Sequence, residues 1–185
     1  MNNDLVLTVI SDDKPGVVET LAQTISSHNG NWLESRMAHL AGKFAGILRV
    51  NVPSADTNAL RQALEALSDR GLKVIVEDAI SQRQAGSVPE SIQLEFKVVG
   101  NDRPGIVREI AQALASRHIS VDELNTHCSS MPWSGEPLFE AHGLILVPAS
   151  VDLDELQDQL NTIGEELAVE IDIEQPENEQ DTTLD

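Results

Sequence analysis

The sequence predicts an α+β chain made of two tandem βαββαβ units, each an antiparallel four-stranded sheet with two helices on one face. Three observations carry this prediction. "DDKPGVVETLAQTIS", from Asp12 to Ser26, returns 89 positions later as "NDRPGIVREIAQALA", from Asn101 to Ala115. Apolar residues alternate before each copy and take helical spacing after it. A repeat distance near 90 residues marks a duplicated domain, since solenoid repeats are shorter.

The elements follow in order. Leu5, Leu7 and Val9 align with Leu94, Phe96 and Val98, the alternation of a half-buried first strand. Asp13, Pro15 and Gly16 then fall on Asp102, Pro104 and Gly105. Past this turn, Val17, Val18, Leu21, Ala22 and Ile25 recur at helical spacing, as do Ile106, Val107, Ile110, Ala111 and Leu114. "GNWLESRMAHL" and "ISVDELNTHCS" read as second strands. "FAGILRVNVP" and "FEAHGLILVP" read as third strands, each ended by the proline of a Val-Pro pair. The alignment offset has by then grown from 89 to 95, so the second hairpin is the longer. The extra residues fall within "SSMPWSGEP", Ser129 to Pro137, where two prolines and a glycine are expected to prevent regular structure.

Leu60, Ala63, Leu64 and Leu67 share one face of a second helix, and Leu153, Leu156, Leu160 and Ile163 do so in the other unit. "LKVIVED" and "LAVEIDIE" close the units as fourth strands. The expected organisation is a first domain over 4–80, a polar linker over 81–90, a second domain over 91–174 and an acidic, disordered tail over 175–185. Each unit is then a split-βαβ, ferredoxin-like arrangement.

Charge narrows the function. The 185 residues carry 12 Lys and Arg against 31 Asp and Glu, a formal net charge of -19. Residues 1–85 hold 8 basic and 10 acidic side chains, residues 86–185 hold 4 and 21, and no Lys or Arg follows Arg117. Nucleic-acid binding rests on Lys and Arg neutralising phosphates, so direct DNA or RNA contact is not expected. The acidity serves solubility, or else offers a surface to a basic protein. No apolar run approaches a membrane span and the first residues lack a signal-peptide layout, which points to the cytoplasm. Cys128, the single cysteine, has no partner for an internal disulfide.

Catalytic patterns are missing. "THCSS" offers neither a CxxC pair nor an HExxH helix, and His127 and Cys128, adjacent in a strand, point to opposite faces. No GxSxG elbow is present. The aligned Glu34 and Glu123 fit solvated or salt-bridged roles better than catalysis. The expectation is a protein without enzymatic activity, cofactor or metal. Trp133, in the longer hairpin, either anchors a partner or folds back onto its own sheet.

The repeated turn is the richest motif. Gly16 and Gly105 let a ligand approach the backbone, and first-turn amides without helical partners suit a carboxylate. Asp13 and Asp102 suit an ammonium. Those opposite charges match a free amino acid. The same residues equally describe a plain helix start, with Asp as cap, Pro in the first turn and Gly at the bend, binding nothing.

"DKPG" and "DRPG", each between the first strand and first helix of a βαββαβ unit, resemble the ACT domain, a regulatory module usually responsive to amino acids. The resemblance covers residues 4–80 and 91–174. It implies ligand binding at an interface between two ACT units, by the strand-1/helix-1 loop and the start of strand 2. Those positions are Asp13, Lys14, Pro15 and Gly16 with Asn31, and Asp102, Arg103, Pro104 and Gly105 with Ser120. "HIS", His118 to Ser120, departs from the Gly or Asn common in the family, which "NGN", Asn29 to Asn31, keeps. A stand-alone acidic pair of such units is similar to the family of glycine cleavage system transcriptional repressors. That similarity implies a regulator responsive to a small amino acid, glycine foremost, that represses transcription indirectly by binding a transcriptional activator protein. It also implies homo-oligomers formed through ACT units. The alternative is an ACT-type protein interaction module without ligand response.

Overall fold

The computed structural model describes residues 1–79, 90–132 and 134–176. The chain divides into two compact units, Met1–Gly86 and Ser87–Asp185. The linker expected over 81–90, apart from Glu90, lies outside the described residues, as do Trp133 and positions 177–185 of the expected tail.

Unit 1 runs β1 (Asn2–Asp12), α1 (Val17–Ser27), β2 (Asn31–Leu40), β3 (Lys43–Pro53), α2 (Thr57–Ala66) and β4 (Leu72–Asp78), with a 3-10 turn at Leu67–Arg70. Unit 2 repeats it as β5 (Ser91–Asn101), α3 (Ile106–Ser116), β6 (Ser120–Ser130), β7 (Pro137–Pro148), α4 (Leu153–Leu167) and β8 (Val169–Glu174). Both sheets are antiparallel, ordered β2-β3-β1-β4 and β6-β7-β5-β8. The two helices cover one face of each, as the βαββαβ pattern requires.

The period-2 residues make the core. Leu5, Leu7 and Val9 of β1 lie opposite Val50, Leu48 and Gly46 of β3, and α1 and α2 add Leu21, Ile25, Leu60 and Leu64. In unit 2, Leu94, Phe96 and Val98 meet Ile110, Leu114, Leu156 and Leu160. Each fully buried leucine contributes about 2 kcal/mol of transfer free energy. Both second strands bulge at the same place. Leu33 and Asp122 are the extra residues, between the Trp32–Val50 and Glu34–Arg49 pairs and between Val121–Ile145 and Glu123–Leu144.

The longer hairpin is more regular than its composition suggests. β6 and β7 stay paired out to Ser129–Leu138 and Ser130–Pro137. Pro137 is tolerated because it opens its strand. Gly135 takes a positive φ of 72° and its amide bonds the Met131 carbonyl at 2.9 Å. Among the described residues no helix is long and apolar enough to cross a membrane.

Candidate functional site

The repeated turn forms the corner at the end of β1 and of β5. In unit 1 the Asp13 amide bonds the Gly42 carbonyl of the β2–β3 hairpin at 3.0 Å; in unit 2 the Asp102 amide bonds Pro137 likewise, also at 3.0 Å. The chain then turns into the helix through a glycine. Gly16 (φ 89°) and Gly105 (φ 104°) are the N-caps of α1 and α3, both left-handed. The Asp cap considered above does not form. No side chain caps either helix, whereas Asp152 caps α4 by accepting from the Asp154 and Glu155 amides. Pro15 precedes the cap instead of lying in the first turn, because the left-handed glycine is what redirects the backbone.

Lys14, Pro15 and Gly16 line a concavity of about 230 Å³, with Asp12, Arg70 and Leu72 on its other side. Ser11 and Leu72 face each other across the β1–β4 ladder, which is how the end of the 3-10 turn reaches the corner. Lys14 Nζ lies 3.6 Å from where a Cβ on Gly71 would stand. The concavity therefore joins two basic side chains, Lys14 and Arg70, and two carboxylates, Asp12 and Glu19, to the open end of α1, an arrangement suited to a ligand that carries both charges.

Asp13 and Asn31 are not among the lining residues. The Asp13 carboxylate lies 3.4 Å from His39 Nε2, both side chains about half exposed. Asn31 opens β2 opposite Asn51. Glu19 also lines the concavity, and Asp12 is the carboxylate at its β1 end. The hydrogen bond from Lys43, then the charge of Lys43, hold its carboxyl below the ordinary carboxylate range against an opposing desolvation, with Lys14 adding least to the effect.

Unit 2 keeps the backbone and changes the side chains. Arg103 donates to the Glu166 carbonyl near the end of α4, a helix closed by left-handed Ala168 (φ 53°). Its guanidinium thus satisfies a helix terminus. Pro104 and Gly105 hold the turn, and Ser120 opens β6 opposite Leu146, exposed. At the places of Ser11 and Gly71 stand Gly100 and Ala168, and a Cβ on Gly100 would lie 2.6 Å from the Ala168 carbonyl oxygen. A different hollow, about 30 Å³ and wholly apolar, opens between α3 and β6, with Val107, Val121 and Leu124 at its exposed edge.

Sequence reasoning missed Asp12, Arg70 and Leu72 as lining residues. The signal was the Arg-Gly pair ending the second helix. Glu34 lies 3.9 Å from Arg49, and Glu123 accepts from Asn125 at 2.9 Å, as expected of solvated strand glutamates. Among the described residues no three metal-ligating side chains gather.

The family model described as the ACT domain matches residues 3–77, nearly all of the first unit. A UPF0237 protein of Methanococcus maripaludis is 31% identical over 77 residues, 40% of this chain and 86% of that relative. The chain belongs to the ACT domain family. Its second unit repeats the ACT topology strand for strand. Similarity extends over both units in several relatives. The glycine cleavage system transcriptional repressor of Escherichia coli is 26% identical over 168 residues, 88% of this chain and 85% of that protein. The crystal structure of an unknown protein from Galdieria sulphuraria, 28% identical, aligns with a TM-score of 0.83 over 94% of this chain and 98% of its own.

Proposed function

We propose that this ACT protein is a non-enzymatic regulator that responds to a small amino acid, glycine foremost, and represses transcription indirectly by binding a transcriptional activator. The observation that carries the reading is the twice-built corner, in which a left-handed glycine starts a helix whose first amides no side chain caps. In unit 1 the amino acid's carboxylate is held by those amides with Lys14 and Arg70, and its ammonium by Asp12 in the concavity and by Asp13 once it leaves His39. Ligand binding that favours one state of the protein then alters its affinity for the activator.

Similarity to the Escherichia coli repressor along most of both chains supports the regulatory part. Charge supports the indirect route, because a chain of net charge -19 repels the DNA polyanion. A thermal-shift series over the amino acids tests the reading. At a hundredfold excess over its Kd, the true ligand adds about 2.7 kcal/mol of stability. No shift with any amino acid refutes the sensing role.

A specific observation favours the second reading, an interaction module without ligand response. Arg103 is committed to the Glu166 carbonyl and Asp13 to His39, so some of the charges at the corners already have partners. Capture of the activator that is unaffected by amino acids would select it.

A further inference from the structure

The concavity at the corner of unit 1 is lined by that unit's own residues, and four of the lining side chains are charged: Asp12, Lys14, Glu19 and Arg70. No salt bridge among the described residues engages Lys14, Glu19 or Arg70. The walls come from the end of β1, the start of α1 and the turn that leads into β4. That turn is the 3-10 turn Leu67–Arg70, closed by left-handed Gly71 (φ 82°). Ser11, only 6% exposed, keeps its side chain opposite Leu72 and lines the concavity too.

Unit 2 replaces each of these features. At the 89-residue offset Asp12, Lys14 and Glu19 become Asn101, Arg103 and Arg108. α4 runs on to Leu167, so Leu167 and Ala168 stand where unit 1 has Arg70 and Gly71. One carboxylate is thus neutral, the other reversed in sign, and one cation is exchanged for a hydrocarbon chain. The two arginines are engaged inside the unit, Arg103 by the Glu166 carbonyl and Arg108 by Glu109. Space changes in the same direction. Position 100, opposite Val169, is glycine, and a Cβ there would lie 2.6 Å from the Ala168 carbonyl oxygen and 2.7 Å from Val169 Cα. The turn from α4 into β8 therefore sits against the β5 backbone, where unit 1 keeps a serine side chain.

We propose that the chain takes up one amino acid, in the corner of unit 1, and that unit 2 is its non-binding half, closed by Arg103 and by the end of α4. This rests on the reading of the chain as an amino-acid sensor, and gives that site its number and its selecting residue. A small ligand that carries both charges needs a cation for its carboxylate and an anion for its ammonium within one cavity. Unit 1 supplies Arg70 with Lys14, and Asp12 with Glu19. The counterparts in unit 2 put no carboxylate in those places and leave neither arginine without a partner. Arg70 is the discriminating residue, because the turn motif recurs in both units whereas the ends of their second helices differ.

Calorimetric titration of glycine into the full chain, with amide chemical shifts followed on isotope-labelled protein, is the test. One glycine per chain is expected, with shifts at residues 16–20 and 70–72 and none at 105–109 or 167–169. Arg70→Leu installs the unit 2 residue at an exposed position and weakens binding about tenfold or more. Circular dichroism checks that the variant folds, and the shift pattern of the unsubstituted chain stands independently of it. Two glycines per chain, shifts at both corners, or undiminished affinity in Arg70→Leu overturns the single site and leaves the sensor reading in place. Neither heat nor shift with glycine, alanine or serine overturns the sensor reading itself, and the single site with it.

Discussion

The Asp13 carboxylate lies 3.4 Å from Nε2 of His39, so the anion that would receive a ligand's ammonium has an occupant in the protein's own second strand. Both side chains are about half exposed, and a pair of that kind contributes about 1 kcal/mol or less. A ligand can displace it at small cost. His39→Gln removes the competing imidazole, and glycine affinity measured by titration calorimetry should rise about two- to fivefold. A fall in affinity would mean that His39 belongs to the binding site.

Gly16 bears on the ligand through its backbone. A Cβ there would meet only Glu19 Oε2 at 3.9 Å, so space is not the obstacle; the φ of 89° is. Gly16→Val costs about 1–2 kcal/mol of left-handed strain and screens the amides of α1. Gly42→Val, at φ 76° in the hairpin with no atom within 4 Å of the new Cβ, carries similar strain away from those amides. Equal losses of stability by urea unfolding, with ligand affinity lost only in Gly16→Val, are expected.

Gly143 has no such freedom. A Cβ at this position would sit 1.9 Å from the Glu123 carbonyl oxygen, at the β6 bulge, and 2.8 Å from a Phe96 ring carbon. The oxygen belongs to paired backbone and cannot swing aside. Gly143→Ala should therefore destabilise unit 2 by about 3 kcal/mol, visible as an earlier urea midpoint.

Asp12 gives the corner an acid sensitivity of known sign. Lys43 depresses its folded-state pKa below the unfolded value, so the stability it adds is present above the ordinary carboxylate range and lost as pH falls through the depressed value. Asp12→Asn should flatten that acidic limb of the stability curve and leave the neutral side little changed. An unaltered limb in the variant would show that other carboxylates set it.

How much of this was legible follows from sequence distance. The doubled βαββαβ order was readable because alternation at Leu5, Leu7 and Val9 and helical spacing at Leu21 and Ile25 are local signals, written twice. The extra ladder at Ser129 and Ser130 was not, since it depends on Leu138 and Pro137 pairing from across the turn. At the corner, Gly16 and Gly105 stood out as residues needing special backbone angles. Arg70 and Leu72 did not, because only the β1–β4 pairing brings them beside Lys14. The partners taken by Asp13 and Arg103 were likewise invisible, as His39 and the Glu166 carbonyl arrive from other elements.

Titration of glycine into the pure full-length chain by isothermal calorimetry tests the central claim most directly. Saturable heat is expected, abolished by Gly16→Val and retained by Gly42→Val. Absence of heat up to millimolar glycine, with no response to any other amino acid, would contradict an amino-acid sensor and leave the two corners as turns that bind nothing.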